Sequence, residues 1–333
     1  MIRDQLTSAD RCIYALLTMI VISGESSSMR RVLIAGLTAT LAVAISGCTW
    51  SPSADNGDGV GIVAAFYPLQ FIAERVGGDK ARVTNLAAPG AEPHDLELSP
   101  AQVASIAEAD LVLYVRGFQP AVDEAVAQGS RTALDVTTLV PLLDPPAPIG
   151  PPDAEHEEAK ADKDPHLWLD PTRLATIVTK LGDKLAELDP DNAASYRARA
   201  SELGTELAQL DHEFADGLKV CQRHEIVVSH AAFGYLADRY RLRQIPITGL
   251  SPEVEPTPQH LAAAADEAKR VGATTVFFET LVSPRVAEVV ATAIGAQTAV
   301  LDPIEGLEPG RSGDYVSVMR ENLAILRPAL GCT

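Results

Sequence analysis

What most constrains this chain is an alternation of strand and helix patterns that runs twice, on either side of one long helical stretch. In the first set, Val60–Phe66 is apolar and β-branched, and Pro68–Val76 reads as a helix after it. Arg82–Leu86, Asp110–Val115 and Thr132–Val136 read as further strands. Ser99-Pro100 opens a helix with an N-cap and a proline at its first position, and Gln119–Gln128 reads as another. The second set has strands at Glu225–Ser229, Gln244–Thr248, Thr274–Phe278 and Gln297–Leu301, with helices near 232–240, 258–271, 284–293 and 314–329. Alternation of this kind predicts α/β layering with largely parallel sheets. The run Thr275-Val276-Phe277-Phe278 has no period of two, so its strand should be covered on both faces.

Between the sets, helix resumes after Asp170-Pro171, is interrupted at Asp189-Pro190, and continues over 191–219. There Tyr196, Ala200, Leu203, Leu207, Leu210, Phe214 and Leu218 recur every three or four residues. The expected fold is two α/β lobes, 60–190 and 220–333, joined by a rigid helix over 191–219. Residues 141–164 carry six prolines, many acids and no apolar period, and predict an exposed flexible loop inside the first lobe.

The N-terminus suggests export. Met29-Arg30-Arg31 precedes an apolar run from Val32 to Ile45, the order of a secretory signal peptide. Its end, Ile45-Ser46-Gly47-Cys48, resembles a bacterial lipobox, in which the cysteine is acylated and becomes the first mature residue. Residues 1–47 are therefore set apart as a signal region. Residues 1–28 read as a wrongly chosen start or as a long extension before the signal. Residues 48–59 read as a lipidated tether. An oxidising compartment then leaves Cys221 and Cys332, which read as one disulfide or as two buried thiols. The formal net charge of −18 argues against a nucleic-acid partner.

Of the seven histidines, three stand in unusual settings. His94 lies in a turn-rich loop after the second strand, and His166 lies between the acidic loop and a helix. His230 sits at the carboxyl end of a strand, and Glu279 has the same position one strand later. Ligands of open α/β sheets bind outside the carboxyl ends of strands, so these four residues can converge in a cleft between lobes. Three imidazoles and one carboxylate suit tetrahedral Zn²⁺, and nitrogen donors favour zinc over hard cations. A zinc hydrolase is the competing class, because a catalytic zinc keeps an open position. A surface adhesin with structural zinc is a third.

The strings AAPGAEPHDLELSP, DPHLWLDP, VVSHAAFGYLADRY, ITGLSPEVEP, FFETLVSP, LDPIEGL and DYVSVMRENL resemble the zinc-uptake (ZnuA-like) branch of the cluster A-I solute-binding proteins of bacterial ABC importers. The resemblance implies two α/β lobes, a long linking helix and a metal ligand set of His94, His166, His230 and an acid, taken as Glu279. It implies Zn²⁺ as cargo, no enzymatic activity, and a lipid-anchored, extracytoplasmic monomer working with a permease and its ATPase. In the same family, glutamate at the position of His230 goes with manganese binding, which keeps a manganese or iron importer as the alternative. Asp95 is the expected hydrogen-bond partner behind a ligand.

Overall fold

The computed structural model describes residues 59–147, 149 and 163–333. The signal region, Cys48 and the tether up to residue 58 lie outside the described residues, as does most of the acidic loop.

The first sheet is built from β1 (Val60–Ala64), β2 (Ala81–Asn85), β3 (Leu111–Tyr114) and β4 (Ala133–Asp135), in the order β2-β1-β3-β4. The second contains β5 (Glu225–Val228), β6 (Arg243–Pro246), β7 (Thr275–Phe278) and β8 (Gln297–Val300), in the order β6-β5-β7-β8. Every pairing in both is parallel. The two sheets thus share one topology, and in each the strand order reverses between its first and third strand. That reversal leaves a crevice at the carboxyl ends of β5 and β7. The expected α/β class and all eight strands are found, each within two residues of its sequence-based limits.

The helices of the first half are α1 (Tyr67–Gly77), α2 (Pro100–Glu108), α3 (Pro120–Gly129) and α4 (Pro171–Leu188). Their starts are fixed chemically. Ser99 and Gln102 form a reciprocal capping box at α2. Asp170 accepts the Thr172 N–H at 2.8 Å at the start of α4. The long helix α5 (Ala193–Gly217) has 25 residues and spans about 37 Å. It buries Tyr196, Ala200, Leu203, Leu207, Leu210 and Phe214, the periodic set read in the sequence except Leu218, which caps its end. Each such leucine contributes roughly 1.5–3 kcal/mol through its burial. Gly182 of α4 lets α5 approach closely, since a Cβ there would lie 2.7 Å from that of Ala200.

The second half carries α6 (Gly234–Tyr240), α7 (Pro258–Arg270), α8 (Arg285–Ile294) and α9 (Tyr315–Leu330). Asp211 of α5 accepts two hydrogen bonds from Arg239, at 2.7 and 2.6 Å, and one from Tyr240 at 3.1 Å, which fixes α6 on the long helix. Helix α9 returns to the first half, where Tyr315 stacks on Phe71 with ring centroids 5.5 Å apart. One apolar cluster accordingly runs from β1 and β3 through α4 and α5 to β5 and α9. A smaller one, rich in alanine, lies between the second sheet and α7 and α8. Cys221 and Cys332 are joined as a disulfide, which decides between the two readings of that pair. Among the described residues, no helix is long and apolar enough to cross a membrane.

Candidate metal centre

Four loops meet at one buried point. His94 comes from the connection between β2 and α2, and His166 from the turn ahead of α4. His230 follows β5, and Glu305 follows β8. The Nε2 atoms of His166 and His230 each lie 3.3 Å from Glu305 Oε1, and that of His94 lies 3.5 Å from it. The four donor atoms are all within 4.8 Å of one another. His166, His230 and Glu305 are buried, and only the His94 side chain keeps slight exposure, at 9%. Apart from these facing pairs, the three Nε2 atoms and both Glu305 oxygens have no hydrogen-bond partner. Buried polar atoms are normally satisfied, so five orphaned atoms aimed at one point mark a place for a cation.

The outer sides of two of the rings, those of His166 and His230, are occupied. Asp164 Oδ1 lies 2.8 Å from His166 Nδ1 and also accepts the His166 N–H at 2.9 Å. Glu279 Oε1 lies 2.8 Å from His230 Nδ1 and accepts the Ser229 hydroxyl at 2.8 Å. A carboxylate on Nδ1 keeps the proton there and leaves the Nε2 lone pair for a metal. Gly234 is required beside this arrangement, because a Cβ there would press on Asp164 Oδ2.

The structure therefore departs from the sequence expectation at the fourth donor. It gathers His94, His166 and His230 as expected, but the acid facing them is Glu305. Glu279 stands behind His230, held by the ring nitrogen that points away from the centre. Asp95 is exposed in the turn after His94, and the half-buried acid beside that turn is Glu92, whose Oε1 accepts the His94 N–H at 3.1 Å. Asp164, Glu279 and Glu92 thus occupy the supporting positions assigned in the sequence to Asp95 alone.

Electrostatics follow from burial against charge. Burial pulls His94 below its ordinary range despite Glu305. Burial acts the same way on His166 and His230, but Asp164 and Glu305 lift the first above its ordinary value. Glu279 and Glu305 lift His230 well above it. Burial works to raise Glu305, yet His230 and His94 hold it well below the carboxylate range. Burial and then Glu305 push the Glu92 carboxyl up to about 8.

Comparison with known proteins places the chain in a family. The family model described as zinc-uptake complex component A, periplasmic (ZnuA), matches residues 62–329. The chain belongs to the ZnuA family. The high-affinity zinc uptake system protein ZnuA of Bacillus subtilis (strain 168) is 32% identical over 293 residues, which cover 84% of this chain and 90% of that protein. The zinc-binding lipoprotein AdcA of Streptococcus pneumoniae (strain R6) is 32% identical over 311 residues, 89% of this chain and 60% of AdcA. Against that relative the ZnuA-family region accounts for little more than half the length. Among solved structures, a crystal structure of ZnuA superposes with a TM-score of 0.70 at 30% identity, covering 82% of this chain and 99% of the other. The Zn(II)-bound ZnuA-like domain of S. pneumoniae AdcA gives 0.68 at 31% identity, with the same coverage. The laminin-binding protein of Streptococcus agalactiae, described as having adhesin and metal transporting activity, gives 0.72 at 30% identity, covering 82% and 100%. The ZnuA family is one of periplasmic components of a zinc-uptake complex.

Proposed function

We propose that this chain captures Zn²⁺ outside the cytoplasm and delivers it to the permease, and through it the ATPase, of an ABC importer. It does so as a monomer anchored by lipid at Cys48. The carrying observation is the convergence of three imidazole Nε2 atoms on Glu305 Oε1. Three neutral nitrogens and one carboxylate form a closed tetrahedral set for zinc. Four buried protein donors leave no position for a substrate, which weighs against a hydrolase. The ligand set under this proposal is His94, His166, His230 and Glu305, with Glu279 and Asp164 orienting two of the rings.

The test is metal analysis of the purified protein, with competition among Zn²⁺, Mn²⁺ and Fe²⁺ at pH 6 and pH 8. One zinc per chain is expected, displacing the other two metals. Imidazoles must lose their protons to bind. His166 and His230 hold theirs to higher pH than an ordinary histidine, so zinc affinity should rise from pH 6 to pH 8. Manganese retained against an equal concentration of zinc would select the manganese alternative. Zinc that cannot be exchanged would favour an adhesin with structural metal.

The anchor rests on the Arg30-Arg31, apolar and Ile-Ser-Gly-Cys order alone. Mass spectrometry of the protein from its native membrane should find acylated Cys48 as the first residue. An unmodified Cys48 inside a longer chain would remove the anchor from the proposal.

A further inference from the structure

The residue that precedes Glu305 has an unusual backbone. Ile304 adopts φ +59° and is fully buried. The left-handed region is disfavoured for any residue with a Cβ, and for a β-branched one it is a true outlier. Such conformations persist only where the surroundings impose them, and they cluster at ligand-binding sites.

The surroundings here act from both halves. Within the second half, Asp302 Oδ1 accepts the Ile304 N–H at 2.7 Å. Asp302 is itself fixed by Asn322, which accepts its N–H at 2.9 Å and donates to its carbonyl at 2.7 Å. Arg311 adds a bond of 2.6 Å to Asp302 Oδ2. From the first half, Trp168 Nε1–H donates to the Pro303 carbonyl at 2.7 Å, and the Gly90 N–H donates to the Leu307 carbonyl at 2.9 Å. These two bonds bracket Ile304, Glu305 and Gly306. Tyr315 locks Trp168 in turn, donating to its carbonyl at 2.6 Å.

We propose that Ile304 is a positioning residue: its left-handed backbone turns Glu305 toward the three imidazoles, and it relaxes when the bonds from Trp168 and Gly90 break, withdrawing the fourth donor. This rests on Glu305 being a metal ligand. The strain is then present in the loaded site and absent in the released one. Metal release needs no protonation of the imidazoles. It needs only that the first half let go of the loop at 303 and 307.

The experiment compares Ile304→Ala with Ile304→Gly. Both lose the buried side chain, but only alanine resists the left-handed region. The glycine variant is expected to bind Zn²⁺ about five- to thirtyfold tighter than the alanine variant, and to lose it more slowly to a chelator. A purely structural role would lower the unfolding temperature of both metal-free variants without splitting their zinc affinities. Equal affinities would overturn the proposal. Should neither variant fold, Trp168→Phe decides the matter. It keeps a buried ring and removes the bond to Pro303, and it should speed zinc loss. An unchanged rate would overturn the proposal. Glu305→Gln distinguishes the two levels, because unaltered zinc affinity there would remove the ligand assignment itself.

Discussion

Glu305→Gln is expected to weaken Zn²⁺ binding by roughly three orders of magnitude. A unit charge about 4 Å from another acts with ~4 kcal/mol at an effective dielectric of 20, which is nearly a thousandfold. Glutamine keeps the volume and one oxygen but removes that charge. Glu279→Gln should fall instead within the roughly 10–100-fold range typical of an outer partner of a ligating histidine. It retains a hydrogen-bond acceptor for His230 Nδ1 and for the Ser229 hydroxyl. Competitive titration of both variants against a chelator, at one pH, separates them. A larger loss in Glu279→Gln than in Glu305→Gln would return the fourth donor to Glu279, and the site would have to rearrange on loading.

The second large effect concerns stability. Cys221 and Cys332 are 111 residues apart in sequence. Closing a loop near that length is worth up to about 4.7 kcal/mol in the chain-entropy model, and removing a native disulfide typically costs about 2–5 kcal/mol. The two segments it joins are also held by backbone bonds, from the Gln222 N–H to the Leu330 carbonyl at 3.1 Å and from the Thr333 N–H to the Val220 carbonyl at 3.1 Å. Those bonds keep the native geometry when the cysteines are replaced. The double Cys221→Ala, Cys332→Ala variant should therefore fold, with a melting temperature lower by roughly 5–15 °C. Zinc affinity should stay the same, because the disulfide lies at the opposite end of β5 from His230. Equal melting curves for the wild type and the variant would show that the crosslink adds nothing to those backbone bonds.

The elements were legible in the sequence because each carries its own period and its own punctuation. Ser99-Pro100 and Asp170-Pro171 mark helix starts that the structure reproduces, with Ser99 and Asp170 each accepting a backbone N–H. The three histidines were legible because each sits in a loop with strong turn chemistry or at a strand end. The acid was not. The strand-end rule points to Glu279, which follows β7 directly, whereas Glu305 lies five residues beyond β8. Only the left-handed turn at Ile304 brings it back to the centre, and nothing in a Pro-Ile-Glu sequence predicts a β-branched residue in that region. Asp164 was missed for a related reason. It lies two residues before a ligand, and a separation of two places no side chain predictably inside an irregular loop. Glu305 did stand within the LDPIEGL string that carries the family resemblance, and that string was the available signal.

The single apolar cluster that passes from the first sheet through α5 to the second sheet and α9 has a thermodynamic consequence. Two halves that share a core are expected to unfold together, which a single melting transition of the purified protein would show. Whatever cation the four loops hold is therefore linked to the folding of every element, including strands far from it. At a free concentration about a thousand times the dissociation constant, that linkage amounts to ~4.1 kcal/mol. A cell that runs short of the metal would thus hold a population of this protein that is globally softer, and not merely empty at one point.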